Sequence, residues 1–262
     1  MSKFFQRFLA GIFMGFAEIT PGISGATIAG LFNVYKDFVS VLTAFNPKNI
    51  LDKNEKFVSN LNLPFIFPLI CGMGIAVYAA SFAIDYLISE HLFIFKVFLS
   101  LIMVIAVIKN CAFDHEIRDA IKFLRGFIFG FLIALAIALT LIEMNFNNSI
   151  LLIIAGFLAF SAFILPGISG SLVLLLLGSY QFVISAIKML DVIALLPFIL
   201  GMTISFLFLP AEIMKSFKAN EIRTKVFFSG LIIGSIPAVW LHLQYPEYLI
   251  FGSIPAVWLP LH

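Results

Sequence analysis

Two apolar stretches of this chain are interrupted by the same five residues. Glu18–Gly30 reads EITPGISGATIAG, and Phe163–Leu175 reads FILPGISGSLVLL. Proline inside a helix removes an N–H and clashes with the preceding turn, while glycine accepts dihedrals that other residues avoid. Pro-Gly therefore ends or kinks a helix. The break is expensive here because the surroundings are apolar. Hydrophobic residues make up 62% of the 262 residues and charged residues 11%, with a mean hydropathy of +1.11. Soluble domains average about half apolar and about a quarter charged. A chain this poor in polar groups cannot cover a globule with polar surface, so an all-α polytopic membrane protein is expected. Broken backbone survives in hydrocarbon only inside protein or against a watery cavity, because unpaired groups there cost several kcal/mol each.

A membrane-spanning helix needs about 20 apolar residues. Candidate segments lie at 4–20, 23–45, 64–84, 92–109, 121–142, 149–165, 168–188, 192–210 and 224–242, separated by polar stretches such as 46–62 and 110–120. Repetition extends beyond the pentapeptide. One constant offset places Ala10-Gly11 on Ala155-Gly156, Tyr35 on Tyr180 and Ser40 on Ser185. A second places FPLICGMGIA (67–76) on LPFILGMTIS (196–205) and KVFLS (96–100) on KVFFS (225–229). A single transmembrane domain over 1–262 is expected, with one repeat in 1–110, a second in 149–241, a linker helix at 121–142 and an appendage at 242–262. GSIPAVWL occurs at 234–241 and again at 252–259, as a local duplication would leave it.

Lys and Arg in short loops orient such chains. Lys3, Arg7, Lys36, Lys48, Lys53 and Lys56 place the N-terminus and first long loop in the cytoplasm. Lys109, Arg118, Lys122 and Arg125, then Lys215, Lys218, Arg223 and Lys225, mark two more cytoplasmic regions, and Lys188 alone falls outside. The first repeat is then entered from the cytoplasm and the second from outside. Such inverted repeats are a common plan of secondary transporters, with the substrate held near the midplane by broken helices. Each pair of segments is expected to form a helical hairpin with PGISG at its tip, either re-entrant or crossing twice.

After each break a helix restarts at Ile-Ser-Gly, presenting free N–H groups and a hydroxyl, which suits an anion. Candidate substrate-binding residues are Pro21, Gly22, Ser24, Gly25 and Thr27 in the first copy. In the second they are Pro166, Gly167, Ser169, Gly170 and Ser171. A tight turn or packing kink explains one copy as well; two copies in ordered repeats favour a site. Glu18, with Thr20 beside it, aligns with Phe163 in the second copy. A carboxylate within a membrane segment is a functional candidate, either as carrier of a coupling proton or as sensor of an accompanying cation, unless it lies at a wet interface. Lys96 and Lys225 are repeat equivalents that either balance an anionic head group or snorkel to the interface. Tyr35 and Tyr180 also fit an aromatic belt.

Other functions lack their residues. No basic run interleaved with aromatics points to nucleic acid, no Walker motif points to ATP, and Cys71 and Cys111 have no metal-ligand spacing. GISG matches the G-x-S-G string of intramembrane serine proteases, but His91, His115, His242 and His262 all fall in loops or near helix ends, away from Ser24 and Ser169. The basic, apolar N-terminus lacks a clear cleavage site and is expected to be retained.

MGFAEITPGISGATIAGLFNVY and FILPGISGSLVLLLLGSYQFVISAI resemble the two signature segments of the undecaprenyl-phosphate (polyprenyl-phosphate) translocases, over residues 5–240. In that family an acidic residue commonly stands three before the proline, matched by Glu18. Gly-Gly-Thr often follows the serine, whereas here Gly25-Ala26-Thr27 does. The resemblance implies a carrier in the bacterial cytoplasmic membrane that returns undecaprenyl phosphate from the outer to the inner leaflet, without cofactor. A carrier or channel for a small water-soluble anion is the main alternative, and a scaffold without a polar cavity is a third.

Overall fold

The computed structural model describes residues 3–20, 23–51, 60–114, 117–139, 149–177, 179, 182–183, 186 and 191–242. Pro21, Gly22, His115, Tyr180, Lys188 and the second GSIPAVWL lie outside them. All regular structure among the described residues is helical: α1 (Lys3–Ile19), α2 (Gly25–Leu31), α3 (Tyr35–Thr43), α4 (Pro47–Leu51), α5 (Leu63–Ile108), a π-helical turn (Lys109–Phe113), α6 (Ile117–Ile121), α7 (Leu124–Leu139), α8 (Ser149–Ile164), α9 (Gly170–Leu176), α10 (Val192–Ala219), α11 (Glu221–Gly234) and α12 (Ile236–His242).

The protein is an all-α polytopic membrane protein. Among the described residues, three segments are long and apolar enough to cross a bilayer, Glu90–Phe113, Val192–Ala219 and Glu221–Leu241, and shorter apolar helices accompany them. Their outward faces are greasy, with Phe129, Leu132, Leu139 and Ile193 all exposed, whereas Gly130, Ala134 and Ala138 of α7 point inward. Lipid as solvent explains this pattern, because apolar tails do not drive helices together and small residues must let them approach.

The spans expected at 64–84 and 92–109 are one helix-bonded run, α5. Its direction breaks at His91 (φ −134°, ψ 35°) instead of passing through a loop. The span expected at 23–45 is divided: α2 stops at Leu31, and Asn33 (φ 58°) turns the chain into α3. Asparagine tolerates that left-handed geometry better than most residues. The seven residues of α2 rise about 10 Å, a third of the ~30 Å hydrocarbon thickness, so α2 cannot cross.

Close backbone approaches organise the bundle. A Cβ at Gly11 would sit 2.1 Å from the Leu69 carbonyl oxygen, and one at Gly72 would sit 2.3 Å from that of Phe8. In the second half, a Cβ at Gly156 would sit 2.0 Å from the Phe198 oxygen and one at Gly201 would sit 1.9 Å from that of Ile153. These four contacts correspond residue for residue under the two sequence offsets. Arg7 also donates to the Pro64 carbonyl at 2.9 Å, and Gly15 abuts Met73 and Ala76, so α1 runs parallel to the first half of α5. Ser161 and Ser205 share a hydrogen bond at 3.0 Å, giving α8 and α10 the same relation. Similarly, α7 and α11 meet through Gly130 on Phe227 and Gly230 on Phe127.

Gly11→Ala and Gly156→Ala should each destabilise the purified protein by about 1–3 kcal/mol, the range for overpacking, because the new methyl meets backbone. Gly74→Ala and Gly126→Ala, where a Cβ meets nothing within 4 Å, should leave the midpoint of thermal unfolding in detergent nearly unchanged.

Candidate functional site

The described residues of the first motif region, from Ile23 on, meet the second in the interior. Gly167 N–H donates to the Thr27 hydroxyl at 2.8 Å, Tyr35 O–H donates to the Ile164 carbonyl at 3.1 Å, and Ser24 Oγ points at the Phe163 carbonyl at a longer 3.5 Å. Ser24, Thr27, Pro166, Gly167 and Ser169 are all buried. The geometry at Gly167 is reserved for glycine: its φ is +93°, and a Cβ would lie 2.5 Å from the Ile232 nitrogen of α11.

Backbone groups freed by the first break find local partners as well. Thr20 Oγ1 returns a hydrogen bond to the Phe16 carbonyl at 2.8 Å, and Ser24 caps α2 by accepting from Ala26 N–H at 3.2 Å. Glu18 Oε1 accepts from Gly25 N–H at 2.7 Å. A Cβ at Gly25 would fall 2.5 Å from that oxygen, so the second motif glycine is the seat of the carboxylate. The helix start expected to be open to a ligand is filled by the protein's own Glu18. The second half has Phe163 at the equivalent position and no carboxylate there.

Beside the tips lies a cavity of about 210 Å³. Thr27, Pro166 and Tyr35 line its inner part, and Asn33, Lys36, Asn110, Glu221 and Lys225 its polar part. Lys225 donates to Asp114 at 2.8 Å and pairs with Glu221 at 3.1 Å. Lys109 pairs with Asp114 at 3.2 Å and also donates to the Gly30 carbonyl and the Asn33 side chain, and Lys36 pairs with Glu221. Burial alone raises the pKa of Asp114, but hydrogen bonds and charge from Lys225 and Lys109 outweigh it and hold the carboxyl below its ordinary value. Asp114 is therefore ionised, and three lysines face two carboxylates.

Lys96, the repeat equivalent of Lys225, stands elsewhere. It is buried and donates to the Trp240 carbonyl at 3.1 Å while lying over the indole ring. Ser100 and Ser229, also equivalent, each bond the carbonyl of their lysine at 2.9 and 2.8 Å. The side chain of Ser171 lies outside the described residues, and Gly170 opens α9. His91 is exposed and faces Tyr86 at 3.5 Å. Sequence reasoning counted Lys36 and Lys109 only as loop charges and overlooked Asn33, Asn110, Asp114 and Glu221 as companions of Lys225. For Asn110, Asp114 and Glu221 the signal was position, in the polar stretches that follow apolar segments, whereas Asn33 lies within the expected segment 23–45 and carried none.

The model of the undecaprenyl phosphate translocase-like family matches residues 14–253. The chain belongs to this family. Its relatives include a polyprenyl-phosphate transporter of Vibrio cholerae, 28% identical over 245 residues that cover 91% of this chain and 78% of the relative. Another is a polyprenyl-phosphate transporter of Staphylococcus aureus, 27% identical over 256 residues, with 88% and 84% covered. No solved structure matches. For a translocase-like protein, the paired tips and the adjoining polar cavity are the candidate site.

Thr27→Val keeps the shape of the side chain but leaves the buried Gly167 N–H without an acceptor, a loss of about 1–3 kcal/mol. Thr27→Ser keeps the acceptor and should cost less than half as much. Chemical unfolding of both variants in detergent measures the difference.

Proposed function

We propose that this protein carries undecaprenyl phosphate across the bacterial cytoplasmic membrane, returning it from the outer to the inner leaflet for reuse as a carrier lipid. One observation carries the proposal: two interrupted hairpins hydrogen-bond to each other beside a polar, lysine-rich cavity in an otherwise apolar bundle. The family and the names of the relatives support the same substrate class. The chemistry agrees. The tail of such a lipid is at home in hydrocarbon, so only the phosphate needs help. An unpaired ion in a medium of low dielectric constant costs tens of kcal/mol on a Born estimate. Hydroxyls of Ser24, Thr27 and Ser169, the Gly167 N–H and the Lys225 ammonium can replace its water.

In this proposal the halves are inverted repeats, and their tips exchange access between the two membrane faces. Supporting this are the residue-for-residue glycine contacts and the contrasting lysines: Lys225 lines the open cavity while Trp240 covers Lys96. With Lys36, Lys109 and Lys225 on the cytoplasmic side, the cavity opens inward. Glu18 is the candidate proton carrier, since its protonation would weaken its hold on Gly25 and free the start of α2 for the phosphate. An aqueous carrier or channel would instead move free phosphate through the same cavity.

Proteoliposomes containing a fluorescent short-chain polyprenyl phosphate distinguish these schemes by dithionite quenching of the outer leaflet. Wild-type protein should accelerate exchange between leaflets, and Ser24→Ala with Ser169→Ala should slow it at least about tenfold, equivalent to about 1.4 kcal/mol. Release of trapped inorganic phosphate without movement of the lipid would favour the aqueous scheme. Glu18→Gln retains an oxygen acceptor for Gly25, so it should purify folded yet transport nothing; wild-type rates in that variant would remove the proton-carrier role.

A further inference from the structure

The cavity mouth holds a charge cluster built from three separate parts of the chain. Lys36 comes from the start of α3, Lys109 and Asp114 from the π-helical turn and its end, and Glu221 and Lys225 from the first turns of α11. Asp114 bridges Lys109 and Lys225, while Glu221 bridges Lys225 and Lys36. Lys36, Glu221 and Lys225 line the cavity, and Asp114 ties Lys109 to Lys225 beside it, so two carboxylates hold three ammonium groups and leave one positive charge in excess. Structural ion pairs do not require such an excess, nor an adjoining polar cavity. The space, about 210 Å³, equals that of about seven waters at their liquid volume of about 30 Å³ each. It can hold a phosphate group with part of its hydration shell. Asn33 and Asn110 add amide groups to its lining. A π-helical turn widens the backbone and often marks a functional position; here Lys109, Asn110 and Asp114 all belong to it or to its cap.

We infer that Lys36, Lys109 and Lys225 form a second phosphate station, in the part of the cavity away from the paired tips, which receives a phosphate monoester at the membrane face where these lysines lie. The inference rests on the lipid-phosphate function proposed above for the identity of its ligand. Asp114 and Glu221 act as resident anions. They keep the lysines assembled when the station is empty and yield them, in part, when a doubly charged phosphate enters. The competition has a physical basis, because a dianion between three cations satisfies more charge per site than either carboxylate. It also links the station to the first hairpin. Lys109 donates to the Gly30 carbonyl at 3.3 Å and to Asn33, at the end of α2, so a phosphate that draws Lys109 away loosens the arm that carries Ser24 and Thr27. The stations then act in series: the cluster concentrates and partly desolvates the head group, and the tips carry it through the barrier.

The test is equilibrium binding to the full-length protein in detergent, with farnesyl phosphate, farnesol and inorganic phosphate as probes. Lys36→Gln alters the most accessible of the three lysines, with 45% of its side chain exposed, and Glu221→Gln removes one resident anion. Farnesyl phosphate should bind Lys36→Gln about tenfold more weakly than wild type and Glu221→Gln about threefold more tightly, while farnesol distinguishes none of them. Tightening on removal of a carboxylate is the signature of competition; a purely structural ion pair predicts weakening or no change. If Lys36→Gln, Lys109→Gln and Glu221→Gln all bind farnesyl phosphate as wild type does while Ser24→Ala weakens it, the station does not exist and the tip site stands. If wild type binds inorganic phosphate as tightly as farnesyl phosphate and the lysine variants weaken both, the station stands and the lipid substrate falls.

Discussion

A helix interrupted in hydrocarbon frees backbone groups that water cannot reach, and in this protein each interrupted hairpin finds partners on the other. Thr27 accepts from Gly167, Tyr35 donates to Ile164, and Ser24 reaches toward Phe163. Glu18 accepts from Gly25 and Thr20 donates to Phe16 within the first break. The two tips cannot be separated without either exposing these groups or supplying a replacement. A phosphate offers oxygens that accept from the N–H and hydroxyl donors of the tips, which makes it a suitable replacement.

Rigid packing surrounds this polar seam. The glycine-mediated pairs α1 with α5, α8 with α10, and α7 with α11 bring backbones to van der Waals distance, where lipid supplies little force for association. Shear within such a pair would drive a glycine Cα against a neighbouring carbonyl. The seam between the tips is polar and partly open, as the cavity records. Rigid pairs flanking an exchangeable hydrogen-bonded seam give a mechanical basis for moving one tip against the other.

Much of the candidate site was legible in the primary structure. PGISG stood out because a chain so apolar has few reasons to break a helix twice in the same way. The repeat offsets related Gly11 to Gly156 and Gly72 to Gly201, but that Gly11 meets Leu69 and Gly156 meets Phe198 came only from the packing. Less was legible around Glu18. Position alone could not show that its carboxylate folds back onto Gly25, because that contact depends on the turn through the break. Lys96 and Lys225 looked alike in KVFLS and KVFFS, yet one is covered by Trp240 and the other opens on the cavity, since their partners come from distant segments.

Composition and the twin interruptions settled, by themselves, that this is a helical membrane protein with two special breaks, because solvation by lipid and the loss of helical hydrogen bonds at Pro-Gly act locally. Which groups fill those breaks was decided only by the tertiary arrangement. Hydrogen bonds such as Gly167 to Thr27, and ion pairs such as Lys225 to Asp114, join residues more than a hundred positions apart. Their geometry depends on how close neighbouring helices can pack, and no local pattern of residues encodes that distance.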